Sequence, residues 1–271
     1  MNRFPVPPRL AAIGLLIVTA AFIPGRTEAL EDYASPRNAT VDARGARSVV
    51  IDAEAGILRV DGRSGINEVR VRGTARANRE SLLRDIKLIA ERRGDVVFIK
   101  ADIEHDDGFW GRANDDRYRG LDLIIEVPVN LKLDVKDGSG EAEFANTGAI
   151  DLEDGSGSIE IRGAHGDVRI HDGSGSITID GVEGTVRVSD GSGEIRATNV
   201  TRDFIVETDG SGSIDVRGVG GTMRVESDGS GNIDVERVAG DFVVENAGSG
   251  SISYETVKGT VRIPDRKRRG Y

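Results

Sequence analysis

The sequence predicts an all-β fold: a two-sided, single-chain parallel β-solenoid (β-helix-like) of about seven coils of 17–19 residues, preceded by a less regular β-rich N-terminal cap. Three observations predict it. Asp-Gly-Ser-Gly recurs at 137, 154, 172, 190, 209 and 228, with Ala-Gly-Ser-Gly at 247, at intervals of 17, 18, 18, 19, 19 and 19 residues. Between these turns apolar and polar residues alternate with a period of two, which is strand periodicity. Glycine is abundant, 36 of 271 residues, without the every-third-residue period of collagen. A unit this short cannot bury its own apolar face, so successive copies must stack.

In chain order, residues 1–29 read as an export signal. Arg3 and Arg9 precede an apolar run from Leu10 to Ile23, and Thr27-Glu28-Ala29 places cleavage after Ala29. The run falls short of the ~20 residues that span a bilayer, so an uncleaved inner-membrane anchor is the alternative reading. No later segment is long and apolar enough for a transmembrane helix. Removing the signal takes away three Arg and one Glu, which turns the net charge of −10 into −12. With no cysteine, disulfides, thiolate metal sites and lipoprotein anchoring are excluded. An acidic, exported chain of this kind suits the bacterial periplasm, the cell surface or secretion. Its charge argues against nucleic acid as a partner.

Residues 30–48 form a polar lead-in, expected to be loose. Residues 49–136 read as the irregular cap, continuous with the solenoid. Its strands are Val49–Ile51, Ile57–Val60 and Val69–Val71, followed by a short helix over 78–84. A hairpin around Arg92-Arg93-Gly94 and the apolar strand Leu121–Val129 complete it. Residues 137–264 are the repeats, and 265–271 a basic tail containing Arg266-Lys267-Arg268-Arg269.

In the unit from Asp172, Ile177 and Ile179 point inward from one strand and Val186 and Val188 from the next, with Val182 in the corner between them. The same inward sets recur in every coil, down to Ile252/Tyr254 and Val261/Ile263 in the last. Burying one such aliphatic side chain is worth ~1.5–3 kcal/mol, so the columns carry the stability. The coils of 19 residues gain their extra residue just before the glycine turn, where no inward set is shifted. Gly166, Gly184, Gly221, Gly240 and Gly259 mark the opposite corner. Arg202 interrupts that set, so the corner either avoids the left-handed region or is strained there.

Stacking places the turn residues Asp137, Asp154, Asp172, Asp190, Asp209 and Asp228 about 4.8 Å apart. Like charges at that spacing need water, backbone N–H groups or cations to offset them. Capping of the turn is favoured over calcium, because one carboxylate per coil is few where Ca²⁺ takes six to eight oxygens. No cofactor and no metal site are expected. On the exterior, Arg169, Arg187, Arg224 and Arg262 form a partial cationic ladder. Asp215 and Asp234 are neighbours on the other face, a spacing that a retaining glycosidase would use. The polar segment 105–118 holds His105, Phe109, Trp110 and Tyr118, aromatic residues in a loop that suits carbohydrate or protein contact.

Several of these features, in order, resemble the bacterial "putative adhesin" family, exported β-solenoid domains of unknown function. They are the export signal, Ala55-Gly56-Ile57-Leu58-Arg59-Val60-Asp61-Gly62, Val69-Arg70-Val71 and Leu82–Gly94. Ile125-Glu126-Val127-Pro128 and the serial Gly-Ser-Gly-x-Ile turns follow. The resemblance covers roughly residues 45–264 and implies no catalytic residue. The expectation is a non-enzymatic envelope scaffold or adhesion-type binding module, with an envelope protein or surface glycan as partner. The alternatives are a polysaccharide-acting β-helix enzyme using paired exterior carboxylates, or a calcium-stabilised structural solenoid.

Overall fold

The computed structural model describes residues 33–104 and 118–264. The export segment 1–29, the basic tail 265–271 and the loop residues His105, Phe109 and Trp110 lie outside the described residues. Four strands come first: β1 (Tyr33–Asp42), β2 (Ser48–Ala55), β3 (Leu58–Arg63) and β4 (Glu68–Ala77). A 3₁₀ segment (Glu80–Asp85) leads to β5 (Ile86–Arg93), β6 (Val96–Ile103) and β7 (Arg119–Pro128). The repeats then supply β8 (Lys132–Ala145), β9 (Ile150–Asp154), β10 (Gly157–Ala164), β11 (Val168–Asp172), β12 (Gly175–Val182), β13 (Val186–Asp190) and β14 (Ile195–Val200). After them run β15 (Phe204–Asp209), β16 (Ile214–Val219), β17 (Met223–Ser230), β18 (Ile233–Val238), β19 (Phe242–Ser249), β20 (Ile252–Val257) and β21 (Val261–Arg262).

The repeats form the predicted parallel β-solenoid. Even-numbered strands from β10 to β20 stack in one sheet, here the front, and odd-numbered strands from β9 to β21 in the other, the back. Strand β8 bends at Gly138–Gly140 and serves both sheets, pairing with β9 through its first half and with β10 through its second. The register matches the inward columns: Ile159 lies on Ile177, Ile177 on Ile195 and Ile195 on Ile214, while Val168 lies on Val186 and Val186 on Phe204. All of these side chains are buried. The extra residue of the first 19-residue coil is a bulge. Ser189 pairs with Thr208, so Glu207 is left over and no inward set changes face.

The second glycine of each turn is dictated by stacking. Gly193 has φ 145°, and a Cβ placed there would sit 1.4 Å from the carbonyl oxygen of Gly175 in the coil below. No L side chain fits, because the φ value and the contact exclude it independently.

The N-terminal half departs from the expected arrangement. Residues 30–48 are not a loose arm: β1 is a ten-residue strand, antiparallel to β4. More consequentially, β2 and β3 form a true coil of the solenoid. Strand β2 lies parallel between β6 and β8, and β3 lies parallel between β7 and β8. Stacking order therefore differs from chain order, with the coil at 48–63 inserted above the one built from β6 and β7. The expected helix over 78–84 is the 3₁₀ segment, and the hairpin around Arg92-Arg93-Gly94 is β5 with β6. Antiparallel strands close this end, β4 and β1 beyond β7 and β5 beyond β6, with Leu82 and Ile86 buried beneath. Arg37 fastens the closure by donating from Nε to the Ile86 carbonyl (3.0 Å) and from Nη2 to the Leu83 carbonyl (2.7 Å).

At the opposite end no described strand lies beyond β20 and β21. Tyr254 and Ile263, expected inside, are 49% and 41% exposed because no further described coil covers them. Among the described residues no helix is long and apolar enough to cross a membrane.

Candidate functional site

Three polar ladders run along the solenoid, one inside it, one at a corner and one on its surface. The inner ladder is Asp137, Asp154, Asp172, Asp190, Asp209 and Asp228, stacked in register along the back sheet. Each is buried, with exposures of 3–7%. Strand periodicity explains the burial. Asp172 is in phase with Val168 and Ile170, so its side chain leaves the strand on their side. The expected turn capping holds for one oxygen of several members. Asp137 accepts from the Gly138 N–H (2.9 Å), Asp172 from the Ser174 N–H (3.1 Å) and Asp190 from the Ser192 N–H (3.2 Å).

The second oxygens of Asp137, Asp172 and Asp190 are buried and have no N–H or hydroxyl donor, and the buried carboxyl of Asp209 is opposed in its desolvation only by the Ser211 N–H. Burial consequently pushes the carboxyls up, to about 6 for Asp137, about 7 for Asp154, about 6 for Asp190 and about 7 for Asp209. Repulsion from the neighbouring aspartates adds to desolvation at Asp154, Asp190 and Asp209. Asp172 is also raised by desolvation, and the Ser174 N–H, followed by hydrogen bonds with Asp154, the Gly173 N–H and Asp190, draws it back. Carboxyls in contact can satisfy these oxygens for one another only by sharing protons, since an ionised carboxylate has nothing to donate. The column ends at Ala247, which pairs with Asp228.

The corner ladder alternates Asp and Thr at the residue before each back strand: Asp167, Thr185, Asp203, Thr222, Asp241 and Thr260. The Thr185 N–H donates to Asp167 (2.8 Å), the Thr222 N–H to Asp203 (2.7 Å) and the Thr260 N–H to Asp241 (2.8 Å). These carboxylates occupy the space where a Cβ of Gly184, Gly221 or Gly259 would be, at 2.2–2.6 Å. Arg202 follows Thr185, whose coil sends no carboxylate across. Neither Arg202 nor Gly166, Gly184, Gly221, Gly240 and Gly259 have positive φ, so these positions avoid the left-handed region. A two-coil period in the sequence carried this signal.

On the surface, Arg169 lies on Arg187, but Ile205 separates Arg187 from Arg224 and Val243 separates Arg224 from Arg262. The four arginines are therefore not one continuous stripe. Glu207, pushed out by the bulge, sits 3.9 Å from Arg169 and 3.8 Å from Arg187, while Arg224 pairs with Glu245 (2.5 Å) and Arg262 with Asp241 (3.6 Å). Beside Arg169 and Arg187 the back sheet has a shallow depression of about 390 Å³, lined also by Lys132, Asp151, Asp167 and Thr185. On the front sheet Asp215 and Asp234 are in register. Arg217 pairs with Asp215 at 3.1 Å, and Asp234 accepts from the Ser253 hydroxyl. Of the predicted loop residues only Tyr118 is described. It is 49% exposed, and its N–H donates to Asn78 (3.2 Å). Among the described residues no group of three or more His, Asp or Glu side chains converges as a metal site would require.

No family model and no curated protein matches the chain. It is similar to solved bacterial structures. One is a "putative lipid binding protein" from Parabacteroides distasonis, with TM-score 0.48 and 15% identity over 85% of this chain and 97% of that one. Another is a "putative adhesin" from Bacteroides fragilis, with TM-score 0.36 and 12% identity over 85% and 96%. A third is a "putative cell adhesion protein" from Clostridium sporogenes, with TM-score 0.32 and 11% identity over 85% and 99%.

Proposed function

We propose that this chain is a non-enzymatic, exported binding module of the bacterial envelope, of adhesion or scaffold type. The observation that carries this reading is the depression on the back sheet. There Arg169 and Arg187 stand together on the sheet and share one distant carboxylate, Glu207, while Lys132 beside them pairs with Asp151 at 3.3 Å. Guanidinium groups held in register and incompletely neutralised suit carboxylate or phosphate groups spaced along a polymer. The ligand class is an anionic surface glycan or the acidic face of an envelope protein. The front-sheet carboxylates fit this reading better than a hydrolytic one. Asp215 is held by Arg217, and a pair lying on a ladder of surface side chains lacks walls to position a sugar ring.

The test is a glycan array and an envelope pull-down with the wild type and with Arg169→Ala/Arg187→Ala. Binding that falls about tenfold or more in the variant supports the assignment. Equal binding by the two proteins would refute it, as would polysaccharide cleavage that disappears in Asp215→Asn.

A further inference from the structure

We propose that the back-sheet depression takes a uronic acid residue of a glycan, whose carboxylate replaces that of Glu207 between Arg169 and Arg187. The inference rests on the binding role proposed above and names the group that the site accepts. Glu207 is there because of the bulge. Ser189 pairs with Thr208, so the extra residue of that coil is released from the ladder and its carboxylate reaches back over the arginines of the two coils before it.

Glu207 holds the arginines loosely. One of its oxygens lies 3.9 Å from Arg169 Nη2 and 3.8 Å from Arg187 Nη1, both beyond hydrogen-bond length. The other oxygen accepts from the Ser189 hydroxyl (3.2 Å). The two arginine side chains stay 58% and 42% exposed, on adjacent strands in register. A solvent-exposed ion pair of this kind contributes little, so displacing it costs little. A free carboxylate is not tethered to the next strand. It can close to ~2.7–2.9 Å of a guanidinium, where charge-assisted hydrogen bonds replace attraction across a gap.

The rest of the lining selects the anion. Asp151 and Asp167 border the depression. Asp151 lies in register with Arg169 on the side away from Arg187 and is turned to Lys132 at 3.3 Å, and Asp167 accepts from the Thr185 N–H. A run of acidic side chains on a protein would set charge against these two carboxylates. Each of them still has lone pairs for a hydroxyl donor. The site therefore has cations at its centre and acceptors at its rim. A uronic acid ring has the complementary pattern, one carboxylate among hydroxyls.

Calorimetric titration of the full chain with a galacturonic acid oligomer tests this, with poly-glutamate as the acidic-protein comparison and circular dichroism confirming that each variant keeps its strand content. The wild type should bind the uronate oligomer more tightly than poly-glutamate. Glu207→Gln should bind it about two- to fivefold tighter still. That gain should vanish in the Arg169→Ala/Arg187→Ala background. Glu226→Gln removes the same charge one coil further along and should gain less. Wild-type binding with no gain in Glu207→Gln, an equal gain in Glu226→Gln, a gain that survives loss of both arginines, or a preference for poly-glutamate would each overturn the proposal and leave the binding role standing. Failure of both the wild type and Glu207→Gln to bind either polymer would overturn the two together.

Discussion

Replacing Asp209 by Asn should make the protein more stable in mild alkali and leave it almost unchanged in acid. Asp209 is buried, and its carboxyl is pushed up to about 7 from 3.8, first by desolvation and then by the charges of Asp190 and Asp228, which the Ser211 N–H offsets only in part. Three units at 1.36 kcal/mol each make about 4 kcal/mol of preference for the protonated form. Because the folded pKa is raised, both states are protonated below about pH 3.8 and the group costs nothing. Between about pH 4 and 7 the unfolded chain ionises while the folded one holds its proton, and stability falls. Above pH 7 the full penalty stands. Asn keeps the shape and removes the titration. The neighbours Asp190 and Asp228 share in the shift, so the variant should recover about 2–4 kcal/mol at pH 8.5 and no more than about 0.5 kcal/mol at pH 4. Urea denaturation midpoints of both proteins between pH 4 and 9 measure it. Equal stabilisation at the two ends, or a variant less stable than wild type at pH 8.5, would refute the account of a strained interior carboxyl.

Four further outcomes can be measured in the same way. Gly193→Ala should cost at least ~3 kcal/mol in urea denaturation, because its Cβ would overlap the Gly175 carbonyl at a φ reserved for glycine. Gly45→Ala, with positive φ but open space, should cost only ~1 kcal/mol. Arg237 holds φ 58° where Gly163, Gly181 and Gly218 stand in lower coils. Arg237→Gly should therefore stabilise the fold by about 0.5–1 kcal/mol once the added freedom of the unfolded chain is subtracted, read as a higher melting temperature. A chelator should leave the melting temperature unchanged; a fall on chelation that calcium reverses would favour a metal-stabilised solenoid.

The repeats were legible because each coil reuses the same columns and the same turn, so the sequence states the stacking rule six times over. The β2–β3 coil was not, since its turn keeps a single glycine, Gly56, and lies far from its spatial neighbours in the chain. Yet Gly56 has φ 134°, and its carbonyl oxygen would lie 1.9 Å from a Cβ on Gly140, which makes it a member of the same glycine column. The tripeptide Ala55-Gly56-Ile57 was the faint signal. The inner aspartates were legible as turn caps but not as buried groups, for a different reason. Their type suggested a turn, whereas their spacing from Val168 and Ile170 put Asp172 in phase with the core, and phase decided the outcome. Tyr254 and Ile263 kept the inward phase and still emerged exposed, because burial at a solenoid's end depends on what lies beyond it.

Near-identical coils raise a problem of order. A coil that skipped its neighbour and paired with the next one would still find an apolar side chain over an apolar side chain and aspartate over aspartate inside. Neither the apolar columns nor the inner acids can penalise that error. The corner ladder can. With Asp167, Thr185, Asp203, Thr222, Asp241 and Thr260 alternating, each correct step from an Asp coil to a Thr coil places a backbone N–H on a carboxylate. Skipping one coil sets Asp against Asp, where the repulsion and the lost charge-assisted hydrogen bond act together. Each such bond is worth roughly 1.5–3 kcal/mol, comparable to one buried aliphatic side chain. Discrimination between right and wrong neighbours thus rests on a short polar set at the corner, while the core, which supplies most of the stability, is nearly blind to the choice.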